Sequence, residues 1–193
     1  TLYFLFLFQN FTRADDIRDF EIEGMSIGDS LLDYYSEKKI KERKAITRSR
    51  YKSKDYIRVY FALSNSENYS VANIHYKNDS KYEIASVSGA IMYDYTFEEC
   101  FTKQKIIFDD LKTLFPIAEI EGDPKKKLIY KPDKTEKSIY STVKYVIEGG
   151  YIDIRCTILG TEFKKKNPST GSSLQVFAHS KEFIDWIRYK AFK

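Results

Sequence analysis

Apolar and polar residues along this chain alternate in some stretches and recur every three or four positions in others. Tyr151 to Leu159 alternates apolar with polar positions as strands do when one face is buried, and Tyr56 to Leu63, Tyr69 to Tyr76 and Tyr82 to Tyr93 are strand-like runs bounded by polar segments. The polar connections between them, Ser64-Asn65-Ser66-Glu67-Asn68 and Lys77-Asn78-Asp79-Ser80, are short enough for antiparallel hairpins. A second set of strands is predicted at Ser138 to Ile147, Tyr151 to Leu159 and Ser173 to Ala178. Glu148-Gly149-Gly150 joins its first two members as a hairpin turn. Between the sets, Phe97, Cys100, Phe101, Gln104, Ile107, Phe108, Leu111, Leu114 and Phe115 follow one helix face. Thr96 and Glu99 supply a capping box for that helix, and Pro116 stops it. A helix is also predicted from Ser30, with Asp33 at its third position. Another starts at Ser180 and carries Phe183, Ile184, Ile187 and Ala191 on one face. A leading strand is expected at Asp19 to Glu23.

The predicted order is helix, three strands, helix, three strands, helix. Consecutive strands with helices set apart point to an α+β fold with antiparallel sheet and against a doubly wound parallel sheet. Residues 24–95 and 96–179 share this order of elements without repeating residue by residue. A duplicated α-βββ unit, followed by the C-terminal helix, is therefore one reading of a single domain at 15–193.

The first fourteen residues change the picture. Leu2 to Phe8 is an unbroken apolar run, followed by a polar stretch and by Ala14 before Asp15. That is the back half of a secretory signal, cut at Ala14/Asp15, whose basic start is expected upstream of Thr1. A buried hydrophobic strand or helix, and retention of this segment as a membrane anchor, are the other readings. Export changes how the two cysteines are read, because an oxidising compartment favours a disulfide. Cys100 sits on the inward face of the predicted helix, and Cys156 alternates inward with Ile152, Ile154 and Ile158. A Cys100–Cys156 bridge is expected.

Composition limits the chemistry further. Two histidines, His75 and His179, exclude a multi-histidine metal cage, and two cysteines exclude a four-cysteine zinc site or an iron–sulfur cluster. No cofactor is implied. The sixteen Tyr and fourteen Phe fall largely in strand runs, where sheet packing accounts for them. The sequons at Asn68 and Asn78 matter only in a eukaryotic secretory pathway, and the chain reads as bacterial.

Gly28-Asp29-Ser30-Leu31 resembles the signature of the GDSL hydrolases, whose serine is a nucleophile. That family also implies a late Asp-x-x-His pair, a Gly-x-Asn-Asp block and a parallel sheet. Here Val176 stands three residues before His179, Ala72 three before His75, and Tyr76 where the block needs glycine. The match reads as a decoy, with Ser30 as a helix cap.

Between Lys38 and Lys54 nine Lys or Arg face one acid, Glu42. Lys38, Lys39, Lys41, Arg43, Lys44, Arg48 and Arg50 are the candidate binding residues of this segment. Lys125-Lys126-Lys127 and Lys164-Lys165-Lys166 form further clusters. These clusters read first as solvated loops or helix ends, with contact to a polyanion or an anionic lipid surface as the alternative. Nucleic acid is not expected as the partner of an exported protein.

Phe20 to Ser36, containing Ile22-Glu23-Gly24-Met25-Ser26-Ile27-Gly28-Asp29-Ser30-Leu31-Leu32-Asp33-Tyr34, together with Lys181 to Trp186, resembles a family of small, uncharacterised exported bacterial proteins. This implies a signal peptide and no catalytic residue or cofactor. Gly24-Met25-Ser26 is also similar to the openings of small periplasmic α+β modules of envelope assembly or protein inhibition. The expectation is a non-catalytic exported module, periplasmic or secreted, binding an envelope protein or small ligand through an exposed sheet face. A surface binder with its basic clusters on one face, and a Ser30 esterase, are the alternatives.

Overall fold

The alternating runs assemble into one eight-stranded antiparallel sheet. The computed structural model describes residues 15–47, 51–64, 66, 68–92, 96–168 and 170–193. The expected signal segment 1–14, Arg48 and Arg50 lie outside the described residues. Strands β1 (Tyr56–Ala62), β2 (Val71–Lys77) and β3 (Ile84–Met92) form one meander. Strands β6 (Ile139–Ile147), β7 (Gly150–Ile158) and β8 (Ser173–Ser180) form another. The meanders join where β3 pairs antiparallel with β8, giving the order β1-β2-β3-β8-β7-β6. Two short strands, β4 (Glu119–Gly122) and β5 (Leu128–Ile129), both line the outer edge of β6.

Among the described residues four α-helices accompany the sheet: α1 (Glu37–Ile46), α2 (Phe97–Leu114), α3 (Thr161–Lys166) and α4 (Lys181–Tyr189). The α2 start has the predicted capping box, with both the Thr96 and the Glu99 side chains engaged. Elsewhere the expected order needs correction. The helix expected from Ser30 is only a 3-10 turn, Leu31–Asp33, and α1 begins after a second cap, Ser36. The cause is a tertiary contact, since the Leu31 amide donates to the Tyr82 carbonyl and its side chain is fully buried. The expected strand at 19–23 is replaced by a 3-10 turn, Ile17–Asp19, and by a tight turn at Glu23-Gly24. Ile22 and Met25 exchange both backbone hydrogen bonds around that turn, whose two central residues have positive φ. The elements β4, β5 and α3 were not predicted.

Register places apolar residues side by side on one face. Val59, Ile74, Val87, Ala178, Ile152 and Tyr145 make one row across six strands. Phe61, Ala72, Gly89, Val176, Ile154 and Val143 make the next. Helix α2 crosses β7 and β8 on this face, tied by the Cys100–Cys156 disulfide at a Cα–Cα distance of 5.9 Å. Gln104 on α2 is fully buried, where hydrogen bonds offset its loss of water. Its amide donates to the Ile154 carbonyl (3.0 Å) and its oxygen accepts from the Ser141 hydroxyl (2.6 Å). The N-terminal segment contributes Ile17, Ile22, Met25, Ile27, Leu31 and Ile40 to the same core. At Gly89 a Cβ would fall 2.5 Å from the Tyr69 ring, so glycine lets that ring close on the sheet. Phe183 and Trp186 of α4 form a second, smaller core with Tyr56 and Ala85. Ala85 is the extra residue of a bulge, where His75 pairs with Ser86 but Tyr76 pairs with Ile84.

Candidate functional site

The GDSL-like segment is the first place to look for chemistry. Ser30 Oγ donates to the Lys81 carbonyl (2.8 Å) and accepts from the Leu32 amide (3.3 Å). Asp29 accepts from the Ser26 amide (2.8 Å) and from the Tyr34 hydroxyl (2.6 Å). The histidines are committed elsewhere. His75 Nε2 lies 3.2 Å from the Tyr51 hydroxyl, and His179 Nδ1 lies 2.8 Å from Ser86 Oγ. The segment is a network of turns, with neither imidazole bonded to Ser30.

Ser86 and His179 make a hydroxyl–imidazole pair that sequence reading missed. They stand 93 residues apart and meet only because β3 pairs with β8. Ser86 is buried, and the His179 ring stacks between Phe177 and Phe183. Burial, with the Arg155 and Lys144 cations nearby, lowers the His179 pKa to about 3. Burial, then His179 and Arg58, lower His75 to about 3 as well. Both rings are therefore neutral near pH 7 and serve to seat α4. Among the described residues no cluster of three His, Cys, Asp or Glu is placed to hold a metal ion.

The basic segment divides between α1 and residues outside the description. On α1, Lys41 pairs with Glu37 (2.9 Å), and the Lys39 ammonium lies over the Tyr35 ring, 4.8 Å from its centre. Lys127 instead pairs with Glu98 at the start of α2 (3.1 Å), one residue before β5. Helix α1 packs on β1 and β5 bonds to β6, so these clusters sit at opposite edges of the sheet. Six strand spacings separate β1 from β5, about 29 Å.

The remaining candidate is the second face of the sheet, which among the described residues α4 covers at one end, and on which Ser88 and Asp153 are buried beneath their longer neighbours. Register sets Tyr60, Asn73, Ser88, Phe177, Asp153 and Lys144 in one row. Gln175, Arg155 and Thr142 lie in the neighbouring row. Cations and rings interleave here. Arg58 lies 5.1 Å from the centre of the Tyr60 ring and Lys144 5.0 Å from that of Tyr151. Arg155 lies 5.4 Å from the centre of Phe177 and 5.8 Å from that of Tyr140. Asp153 pairs with Arg155 (2.6 Å) and accepts a short hydrogen bond from Thr142. Lys144 is 3.8 Å from Glu121. The surface is thus aromatic, polar and internally charge-paired. Asn73 Oδ1 and Arg155 Nε are shielded from solvent without a hydrogen-bond partner among the described residues, a state uncommon for buried polar atoms.

Compared with protein-family models, with curated proteins and with solved structures, the chain matches none.

Proposed function

We propose that this chain is an exported, non-catalytic interaction module that holds a protein partner on the uncovered face of its sheet. The observation that carries the reading is the composition of that face. Tyr60, Tyr140, Tyr151 and Phe177 stand among Arg58 and Arg155, residue types enriched at protein interfaces, with Tyr and Arg prominent in binding hot spots. Export to the periplasm or beyond is supported by the apolar run at Leu2 to Phe8. The buried disulfide fits an oxidising compartment, and among the described residues no helix is long and apolar enough to cross a membrane. A duplicated origin is supported by α1-β1-β2-β3 and α2-β6-β7-β8 meeting through their last strands, with β4, β5 and α3 as additions to the second half.

A photo-crosslinking amino acid placed singly at Tyr60, Phe177 and Ile106, in exporting cells, tests the reading. Ile106 is 58% exposed on the outer side of α2 and serves as the control. One discrete adduct from Tyr60 and Phe177, and none from Ile106, is expected. Equal adducts at all three positions, or none from the face, overturn the proposal. An adduct at twice the chain mass overturns it in favour of a second copy.

A further inference from the structure

Where the end of α1 meets the outer edge of β1, a cavity of about 490 Å³ opens. Three of its lining residues are cations: Lys44 from the last turn of α1, Lys54, and Arg58 of β1. No carboxylate among the described residues lines it. Among the described residues neither Lys44 nor Lys54 has an ion-pair partner, unlike Lys41, Lys77 and Lys127, which are paired with glutamates. Asn78 closes one wall. Its backbone amide is held by the Asp55 carbonyl (2.8 Å), while its side-chain amide bonds to no other described residue. Tyr56 and Ile57 form an apolar floor, and they come from opposite faces of the sheet, so the cavity straddles the edge strand. Backbone groups add to it. In an antiparallel ladder alternate residues turn their N–H away from the neighbouring strand, so at least one of Tyr56, Ile57 and Arg58 directs an amide outward.

Like charges gathered in a cleft raise its potential and attract counter-ions. Ammonium and amide donors suit acidic oxygens, and the floor suits the body of an organic molecule. We infer that this cavity binds a small organic anion, one whose carboxylate or phosphate meets Lys44, Lys54 and Asn78 while its ring or alkyl body rests on Tyr56 and Ile57. The site adjoins the partner face, with which it shares Arg58, whereas Lys44 and Lys54 come from outside that face.

The test is an amide-shift titration of the whole chain with benzoate, phenyl phosphate and inorganic phosphate. Saturable shifts at Thr47, Ile57 and Asn78 are expected with the two organic anions, and binding at least tenfold weaker for inorganic phosphate, which lacks a body for the floor. Lys44→Gln with Lys54→Gln should weaken binding at least tenfold. Lys125→Gln with Lys126→Gln should leave it unchanged. Both pairs are exposed, and an unchanged amide spectrum elsewhere verifies the fold. Unchanged affinity in the Lys44/Lys54 variant, shifts shared equally by every lysine cluster, or no saturation up to tens of millimolar overturns the inference. The crosslinks from Tyr60 and Phe177 are expected to persist in that variant, so failure of one proposal is distinguishable from failure of the other.

Discussion

Gly28 holds a φ of +96° and Ser30 caps a turn, so two letters of the hydrolase-like motif are explained by backbone geometry. An L-residue pays for that φ in Cβ–carbonyl contact, about 1–2 kcal/mol. Loss of a capping hydroxyl costs about 1 kcal/mol. Gly28→Ala is therefore expected to destabilise the chain more than Ser30→Ala, in urea unfolding, by up to about 1 kcal/mol. Any hydrolysis of p-nitrophenyl acetate should be the same in Ser30→Ala as in the parent chain. A loss of turnover in Ser30→Ala would restore the esterase reading. The neighbouring residues agree with a structural role, since Ile22, Met25, Ile27 and Leu31 of the family-like stretch are all buried.

At the scale of elements, the α2–β7 junction is the point most open to direct measurement. The disulfide links residues 56 apart in sequence, and in the chain-entropy model such a closure contributes about 4 kcal/mol. Cys100→Ala with Cys156→Ala should lower unfolding stability by about that amount, read from the urea midpoint at constant m-value. Helix α2 should stay in place, because Gln104 still bonds to Ile154 and Ser141 and the Tyr145 hydroxyl to the Phe108 carbonyl. A loss of less than about 1 kcal/mol would show that the bridge constrains little in the unfolded chain. This bridge, the six long strands, α2 and α4 were legible in the sequence because each buries a periodic face. Helix α1 was misplaced because only Ile40 on it is buried, so no apolar stripe separates Ser30 from Ser36 as its cap. Strands β4 and β5 were missed because Glu119–Gly122 and Leu128–Ile129 are too short to show a period. The uncovered face was half legible. Arg58 and Tyr60, Gln175 and Phe177, and Asp153 and Arg155 each occupy the outward positions of a visible alternation. Register alone lines them up, and no local pattern states which strand lies beside which.

Across the whole molecule, α4 rests on two histidines that must remain neutral, which ties stability to pH. An unfolded imidazole takes up its proton near pH 6.5, whereas His75 and His179 in the fold do so near 3. Below pH 6.5 the unfolded state thus binds more protons than the folded one, and stability falls as pH falls; above 6.5 these groups contribute no slope. The groups around them reinforce the sign. Arg58, Arg155 and Lys144 all oppose a charge on the rings, and Tyr51 and Ser86 are their neutral partners. The carboxylates act lower. Hydrogen bonds from Ser138 and Thr135 hold Asp133 near 2, so its contribution is lost only below about pH 4, the unfolded carboxylate range. Between pH 6 and 4.5 the histidines should therefore dominate, with a loss of about 1.4 kcal/mol per pH unit for each, or about 2.7 together. Urea unfolding at intervals across that window reads the slope directly. His75→Gln and His179→Gln should each halve it, whatever either substitution does to stability at neutral pH, because the slope counts protons and not contacts. An undiminished slope in both variants would place the acid sensitivity elsewhere in the fold.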